Sequence, residues 1–273
     1  MWKERMERVR EKKPLIHNIT NYVTANACAN ILLACGASPI MADDPEEVEE
    51  ITALCSGLNI NIGTLSSRTI PSMLAAGKKA NSLGSPVLLD PVGVGASGFR
   101  KETVERLLKE IHFTVIRGNV SEIKILAGSD VNLRGVDADG ADRVTEENLS
   151  QAVALAKACA AEKKTIVAMT GTIDIITDGM TAYCIRNGHP SMGLVTGTGC
   201  QLSALTTAYV AANPEAALEA AAAATGLMGL CGERAFRRMG NDFGNVTYGN
   251  YIIDEVCRVT PEELEQGIRY EVR

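Results

Sequence analysis

The chain has 273 residues, 46% of them hydrophobic and 22% charged, with a formal net charge of -6. That length is enough for a sizeable core and is read as one α/β domain over residues 1–273. The acidic balance, without a Lys/Arg stripe interleaved with aromatics, excludes a general nucleic-acid surface, and aromatics at 4% require an aliphatic core.

In chain order, the basic stretch from Lys3 to Lys13 also carries Glu4, Glu7 and Glu11, so it reads as a solvated helix face rather than a targeting arm. Helical spacing runs from Asn21 to Cys35 and stops at Gly36. Short apolar runs of strand length follow at Ser38–Met41, Leu58–Ile62, Pro86–Asp90, Phe113–Ile116 and Thr165–Met169. Helices are predicted between them. Asp44-Pro45-Glu46-Glu47 has an N-cap, a first-turn proline and acids at the positive end of one; Arg100–Ile111 and Thr145–Lys163 are others. The alternation implies a mainly parallel central sheet with helices on both faces. Asp174–Thr177 and Met180–Arg186, joined at Asp178-Gly179, read as a hairpin with a tight turn. Beyond Cys200 the chain reads as nearly continuous helix to about Cys257.

Within it the uncharged run Ala220–Cys231 falls short of the ~20 residues of a membrane span and is expected to be a buried helix. No membrane partner is expected, and with no leader pattern the expected location is cytoplasmic. The 8 cysteines form no CxxC pair and have no histidine at ligand spacing, so neither a zinc site nor a disulfide framework is expected; most, notably Cys28, Cys35, Cys159 and Cys231, read as small core residues, and only Cys200 has a context that suggests more.

In such sheets ligands bind beyond the carboxyl ends of the strands. The segments there are polar and glycine-rich: Met41-Ala42-Asp43, Asn61-Ile62-Gly63-Thr64, Asp90-Pro91-Val92-Gly93, Arg117-Gly118-Asn119 and Thr170-Gly171-Thr172. Gly197-Thr198-Gly199-Cys200 stands at the mouth of the alanine-rich helical stretch, where free N–H groups suit an anion and developing negative charge. The same helix end is expected to lower the thiol pKa of Cys200 and make it a base or nucleophile. The bland alternative is a common turn followed by a small core residue. Asp90 and Glu122, near adjacent strand ends, suit a Mg²⁺ ion held largely through water and phosphates, or else only favour helix N-termini. Arg117 could reach a nucleotide phosphate or form a surface ion pair. Gly93 to Gly98 matches GxGxxG, but Asp90-Pro91 interrupts the turn and no acidic residue closes a second strand, so a phosphate-proximal loop or lid is preferred to a dinucleotide site.

Together these residues resemble the hydroxyethylthiazole kinase family of the ribokinase-like superfamily. The likeness rests on Pro14-Leu15-Ile16-His17-Asn18-Ile19-Thr20-Asn21, Gly36-Ala37-Ser38-Pro39-Ile40-Met41-Ala42, Asn61-Ile62-Gly63-Thr64-Leu65, Asp90 to Gly95, Arg117-Gly118-Asn119 with Ser121-Glu122, Thr170-Gly171 and Gly197 to Cys200. It covers about Lys13 to Ala211. The chain departs from the family at Gln201, where an apolar residue is usual, and at Phe243-Gly244-Asn245-Val246, where Gly-Pro-Gly is usual. The resemblance implies a ribokinase-like fold and ATP-dependent phosphorylation of the hydroxyl of 4-methyl-5-(2-hydroxyethyl)thiazole in thiamine salvage. By position it implies Met41 and Gly197 on the thiazole, Arg117 and Thr170 on ATP, and Asp90 and Glu122 around Mg²⁺. Cys200 takes the place where most ribokinase-like enzymes carry an aspartate base, with Gly197, Thr198 and Gly199 holding the transferring phosphoryl group. It also implies a homotrimer whose sites lie at subunit interfaces. Other readings are a kinase for a different small alcohol, a nicotinamide oxidoreductase built on Gly93 to Gly98, and a non-catalytic thiazole-binding protein.

Overall fold

A computed structural model of the protein describes residues 1–128 and 143–273. The chain opens with α1 (Trp2–Lys12), β1 (Leu15–Ile19), α2 (Ala25–Cys35), β2 (Ser38–Met41), α3 (Val48–Leu54), β3 (Gly57–Asn61), α4 (Thr69–Ser82) and β4 (Val87–Asp90). It continues through α5 (Gly98–Glu110), β5 (Val115–Asn119), α6 (Val120–Leu126), α7 (Leu149–Lys163), β6 (Ile166–Thr170), β7 (Asp174–Thr177) and β8 (Ala182–Ile185). The last elements are α8 (Thr198–Ala212), α9 (Ala217–Met239), α10 (Asn245–Arg258), α11 (Pro261–Gly267) and β9 (Tyr270–Val272).

The strands form one nine-stranded sheet in the order β2-β1-β3-β4-β5-β6-β7-β8-β9. Neighbours from β2 to β6 run parallel, and β7, β8 and β9 add antiparallel pairs. Period-two alternation sends each strand's side chains into two apolar layers. Leu88, Val115, Ala168 and Ile176 meet α1, α2, α8, α9 and α10 on one face, while Leu89, Ile116, Val167 and Ile175 meet α3 to α7 on the other. The mainly parallel sheet between two helical layers is thus present as expected.

Several boundaries differ for identifiable reasons. Asn21 to Thr24 is a turn rather than helix, because the Asn21 Oδ1 atom accepts from both the N–H and the hydroxyl of Thr24 at 3.0 Å. Asp44 makes a turn that precedes α3, its side chain accepting from the N–H of Glu46. The hairpin turn is longer than predicted: Thr177 pairs directly with Ala182, and Asp178 Oδ1 accepts from the N–H groups of Met180 and Thr181. The helix at the N-terminus is not merely solvated, since Trp2, Arg5, Met6 and Val9 are buried. Ala220–Cys231 is wholly buried in α9, and among the described residues no helix is long and apolar enough to cross a membrane.

Candidate active site

Alternation along the parallel strands places a row of polar residues at their carboxyl ends, on the face covered by α8. Val87 and Leu89 enter the far layer, whereas Leu88 and Asp90 face α8; the same count brings Asn61 on β3, Arg117 on β5 and Thr170 on β6 to that side. Asp90 is fully buried, and Asn61 Nδ2 and Ser203 Oγ both donate to its Oδ2 at 2.7 Å. The Arg117 guanidinium lies 3.5 Å from Asp90 Oδ1 and donates to Thr170 Oγ1 at 2.8 Å. Arg117 is therefore an interior cation, not a member of a surface pair.

The mouth of α8 closes over this row. Gly197, the N-cap, has φ +87° and packs against the Thr24 side chain; Gly199 lies so close to Arg117 that an added Cβ would fall 2.6 Å from its Nη1. Gln201 N–H makes the first intrahelical bond, to the Gly197 carbonyl at 2.9 Å, so the helix makes no use of the N–H groups of Thr198, Gly199 and Cys200. With Arg117 beside them, these groups form an anion-binding corner.

Cys200 Sγ sits behind it, accepting from Asn21 Nδ2 and Asn61 Nδ2, each at 3.3 Å. The amide orientations follow from backbone donors. Gly63 N–H points at Asn61 Oδ1 (2.9 Å) and Thr24 N–H at Asn21 Oδ1, which turns both amide nitrogens toward the sulfur. Two donors aimed at one atom favour a group that carries negative charge. The thiol pKa is nonetheless raised, not lowered as the helix end suggested. Burial is the main cause and the Asp90 charge adds to it, while Thr24, Arg117 and Asn61 offset only part.

Glu122 completes the acidic side. It belongs to a capping box at the start of α6: Asn119 Oδ1 accepts its N–H, and its Oε2 accepts the N–H of Asn119 at 2.8 Å. Its Oε1 accepts the N–H of Gly93 at 2.9 Å. Burial, reinforced by the Asp90 charge, pushes the Glu122 carboxyl up to about 7. Burial also raises Asp90, against the pull of Arg117, Ser203 and Asn61. Asp90 Oδ1 has no hydrogen-bond donor, and each Glu122 oxygen keeps a lone pair beyond its one backbone donor. Two buried carboxylates with spare oxygen lone pairs fit a hard divalent cation that retains several waters. Among the described residues no group of three or more His, Cys, Asp and Glu could hold a metal by itself.

Gly93 to Gly98 forms turns, Val94 N–H to the Pro91 carbonyl and Ala96 N–H to the Gly93 carbonyl, and then Ser97 caps α5. Its use in the site is the Gly93 bond to Glu122, not a dinucleotide passage. Met41 is exposed at the end of the edge strand β2, in register with Asn18. His17 is a buried core histidine, its Nε2 donating to the Ala42 carbonyl and its Nδ1 2.9 Å from Thr52 Oγ1. Three contributors had no predicted role. Ser203 was detectable as the i+3 neighbour of Cys200 on a helix. Asn61 stands in a polar strand-end segment and Asn21 at the start of a predicted helix, but nothing local marks either as a sulfur donor.

The mainly parallel sheet between two helical layers is a ribokinase-like fold. A ribokinase-like superfamily protein from Enterococcus faecalis superimposes with a TM-score of 0.62 at 12% identity, covering 95% of both chains, a likeness of fold alone. The chain belongs to the hydroxyethylthiazole kinase family, whose model matches residues 6–262, well past the Ala211 limit read from motifs. A hydroxyethylthiazole kinase from Clostridium acetobutylicum is 57% identical over 271 residues, 99% of each chain. The structure of a hydroxyethylthiazole kinase protein from Pyrococcus horikoshii OT3 matches with a TM-score of 0.86 at 38% identity, covering 100% of this chain and 98% of the other.

Proposed function

We propose that the protein transfers the γ-phosphoryl group of ATP to the primary hydroxyl of 4-methyl-5-(2-hydroxyethyl)thiazole, a salvage step toward thiamine. The observation that carries this reading is the meeting of Arg117, the open N–H groups of α8 and the amide-flanked Cys200 sulfur at one place, the mouth of α8. Phosphoryl transfer requires little covalent chemistry of a protein and much positioning and charge stabilisation. The Thr198, Gly199 and Cys200 N–H groups with Arg117 hold the transferring phosphoryl group, Thr170 fixes Arg117 at the nucleotide side, and Gly197 and Met41 bound the thiazole. The hydroxyl oxygen attacks the γ-phosphorus as the bond to the bridging oxygen breaks, and ADP leaves. The hydroxyl proton departs late in a loose transition state, passing to the thiolate form of Cys200, which Asn21 and Asn61 orient. Asp90 and Glu122 would hold Mg²⁺, which when bound neutralises phosphate charge.

Each site is completed by a neighbouring copy in a homotrimer. Support comes from exposed apolar side chains in segments near the site: Tyr22 and Val23 beside Asn21, Met41 on β2, and Leu194 before Gly197. The continuous sheet supports a single domain over residues 1–273, and its proposed place of work is the cytoplasm. Phosphorus NMR of a reaction with ATP, Mg²⁺ and the alcohol tests the reading. A new phosphomonoester signal coupled to the side-chain CH₂ is expected, and ADP with free phosphate alone would contradict it.

A further inference from the structure

Arg100, in the first turn of α5, lies outside every motif described above. Its guanidinium donates to three backbone carbonyls in two different loops: Nη1 to Ile62 at 2.7 Å and to Val92 at 2.6 Å, and Nη2 to Gly63 at 2.8 Å. The ladder between β3 and β4 ends with Ile62 N–H on the Asp90 carbonyl at 3.2 Å. Past that bond the carbonyls of Ile62, Gly63 and Val92, from the two loops, are joined by this one side chain. A planar fork of five donors can bridge two loops in this way, whereas an ammonium is a single point charge.

Each carbonyl is one residue or less from an anchor of the active site. Gly63 N–H sets Asn61 Oδ1 and thereby turns Asn61 Nδ2 toward Asp90 and Cys200. Val92 precedes Gly93, whose N–H holds Glu122 Oε1. We infer that Arg100 is a positioning residue for phosphoryl transfer, clamping the loops after β3 and β4 so that Asn61 is aimed at Cys200 and Glu122 is held beside Asp90. This rests on the phosphoryl-transfer reading of the site. Arg100 touches none of the reacting groups; it acts through Gly63 and Gly93. The anion corner of Arg117 and the α8 N–H groups does not depend on it.

The test compares Arg100→Ala and Arg100→Lys with the parent, at a temperature well below each variant's Tm. Loosening the loops displaces Asn61 and the acids from their working geometry, so Arg100→Ala is expected to lose about tenfold to a hundredfold in kcat. The KM for ATP is expected to stay near the parent's, because Arg117 and the helix N–H groups remain. Arg100→Lys should recover part of the loss, and added ethylguanidinium should partly restore Arg100→Ala. A merely structural role would lower Tm and leave the kcat of the folded protein unchanged, and that result overturns the inference. Amide hydrogen exchange supplies a reading independent of the substrate. In Arg100→Ala, protection should fall at Gly63 and Gly93 and hold in β6; unchanged exchange at both glycines overturns the clamp. A parent that gives no thiazole-dependent product indicts the functional reading instead, and the exchange result still decides the clamp.

Discussion

Cys200 occupies an environment that both raises its pKa and surrounds its sulfur with donors, and its pH behaviour follows from that pair of effects. With the thiol pushed above its ordinary value by burial and by Asp90, the thiolate fraction falls tenfold for each pH unit below the pKa. The parent's kcat is expected to climb from neutral into alkaline pH. Cys200→Asp places an ionised carboxylate against the same two amides and should stay active with that climb removed. Cys200→Ala should be slower by about tenfold to a hundredfold yet measurable, since the anion corner is untouched and the proton leaves late. A Cys200→Ala enzyme as fast as the parent removes the base, and a trapped phosphocysteine replaces it with covalent catalysis. Glu122 titrates in an accessible window. Its folded value of about 7 stands above the ordinary carboxylate value of 4.5, so its contribution to stability is present below 4.5 and lost as pH rises through 7. Mg²⁺ binds the ionised form, so the rise in Tm produced by millimolar Mg²⁺ should be small at pH 6 and larger at pH 8, and flattened in Glu122→Gln. An equal Mg²⁺ effect at both pH values would remove Glu122 from the metal shell.

The helix α8 is the element on which the site depends. Its first turn supplies the N–H corner and Cys200, and one turn later Ser203 supplies the hydroxyl on Asp90. Leu205, fully buried on the same helix, anchors it in the core layer against the sheet. Leu205→Ala is expected to cost about 2–5 kcal/mol of stability, read as a shift in denaturant midpoint. Below the new transition the folded fraction should keep its kinetic constants only if α8 reseats without moving its mouth. At this scale much was legible before the structure. Apolar runs bounded by turn residues marked β2 to β6, and helical spacing marked α5, α7 and the long stretch after Cys200. The edges of the pattern escaped notice. β1 carries His17 and Asn18 inside its five residues and so lacks an apolar run, and β9 is three residues that pair with β8 only after the chain has crossed the molecule. Likewise Cys200, Asp90, Arg117 and Glu122 were marked by type and place. Arg100 was not, because its partners are carbonyls in loops brought to it only by the finished fold, and a backbone carbonyl leaves no trace in a sequence.

For the whole molecule, the carboxyl ends of β3 to β6 and the turns and helices next to them bring residues from Asn21 to Ser203 into one site, while exposed apolar side chains stand in nearby segments at Tyr22, Val23, Met41 and Leu194. A homotrimer that buries them is expected in sedimentation at working concentrations. Replacing Tyr22 and Val23 by polar residues should weaken assembly and activity together; a fully active monomer would place the whole site within one chain. The reaction itself is tested by ADP release from Mg²⁺-bound ATP, with and without 4-methyl-5-(2-hydroxyethyl)thiazole, with the product weighed by mass spectrometry. Thiazole-dependent release with one phosphate added to the alcohol is the expected result. Normal ATP binding with no thiazole-dependent release would contradict it and point to another alcohol.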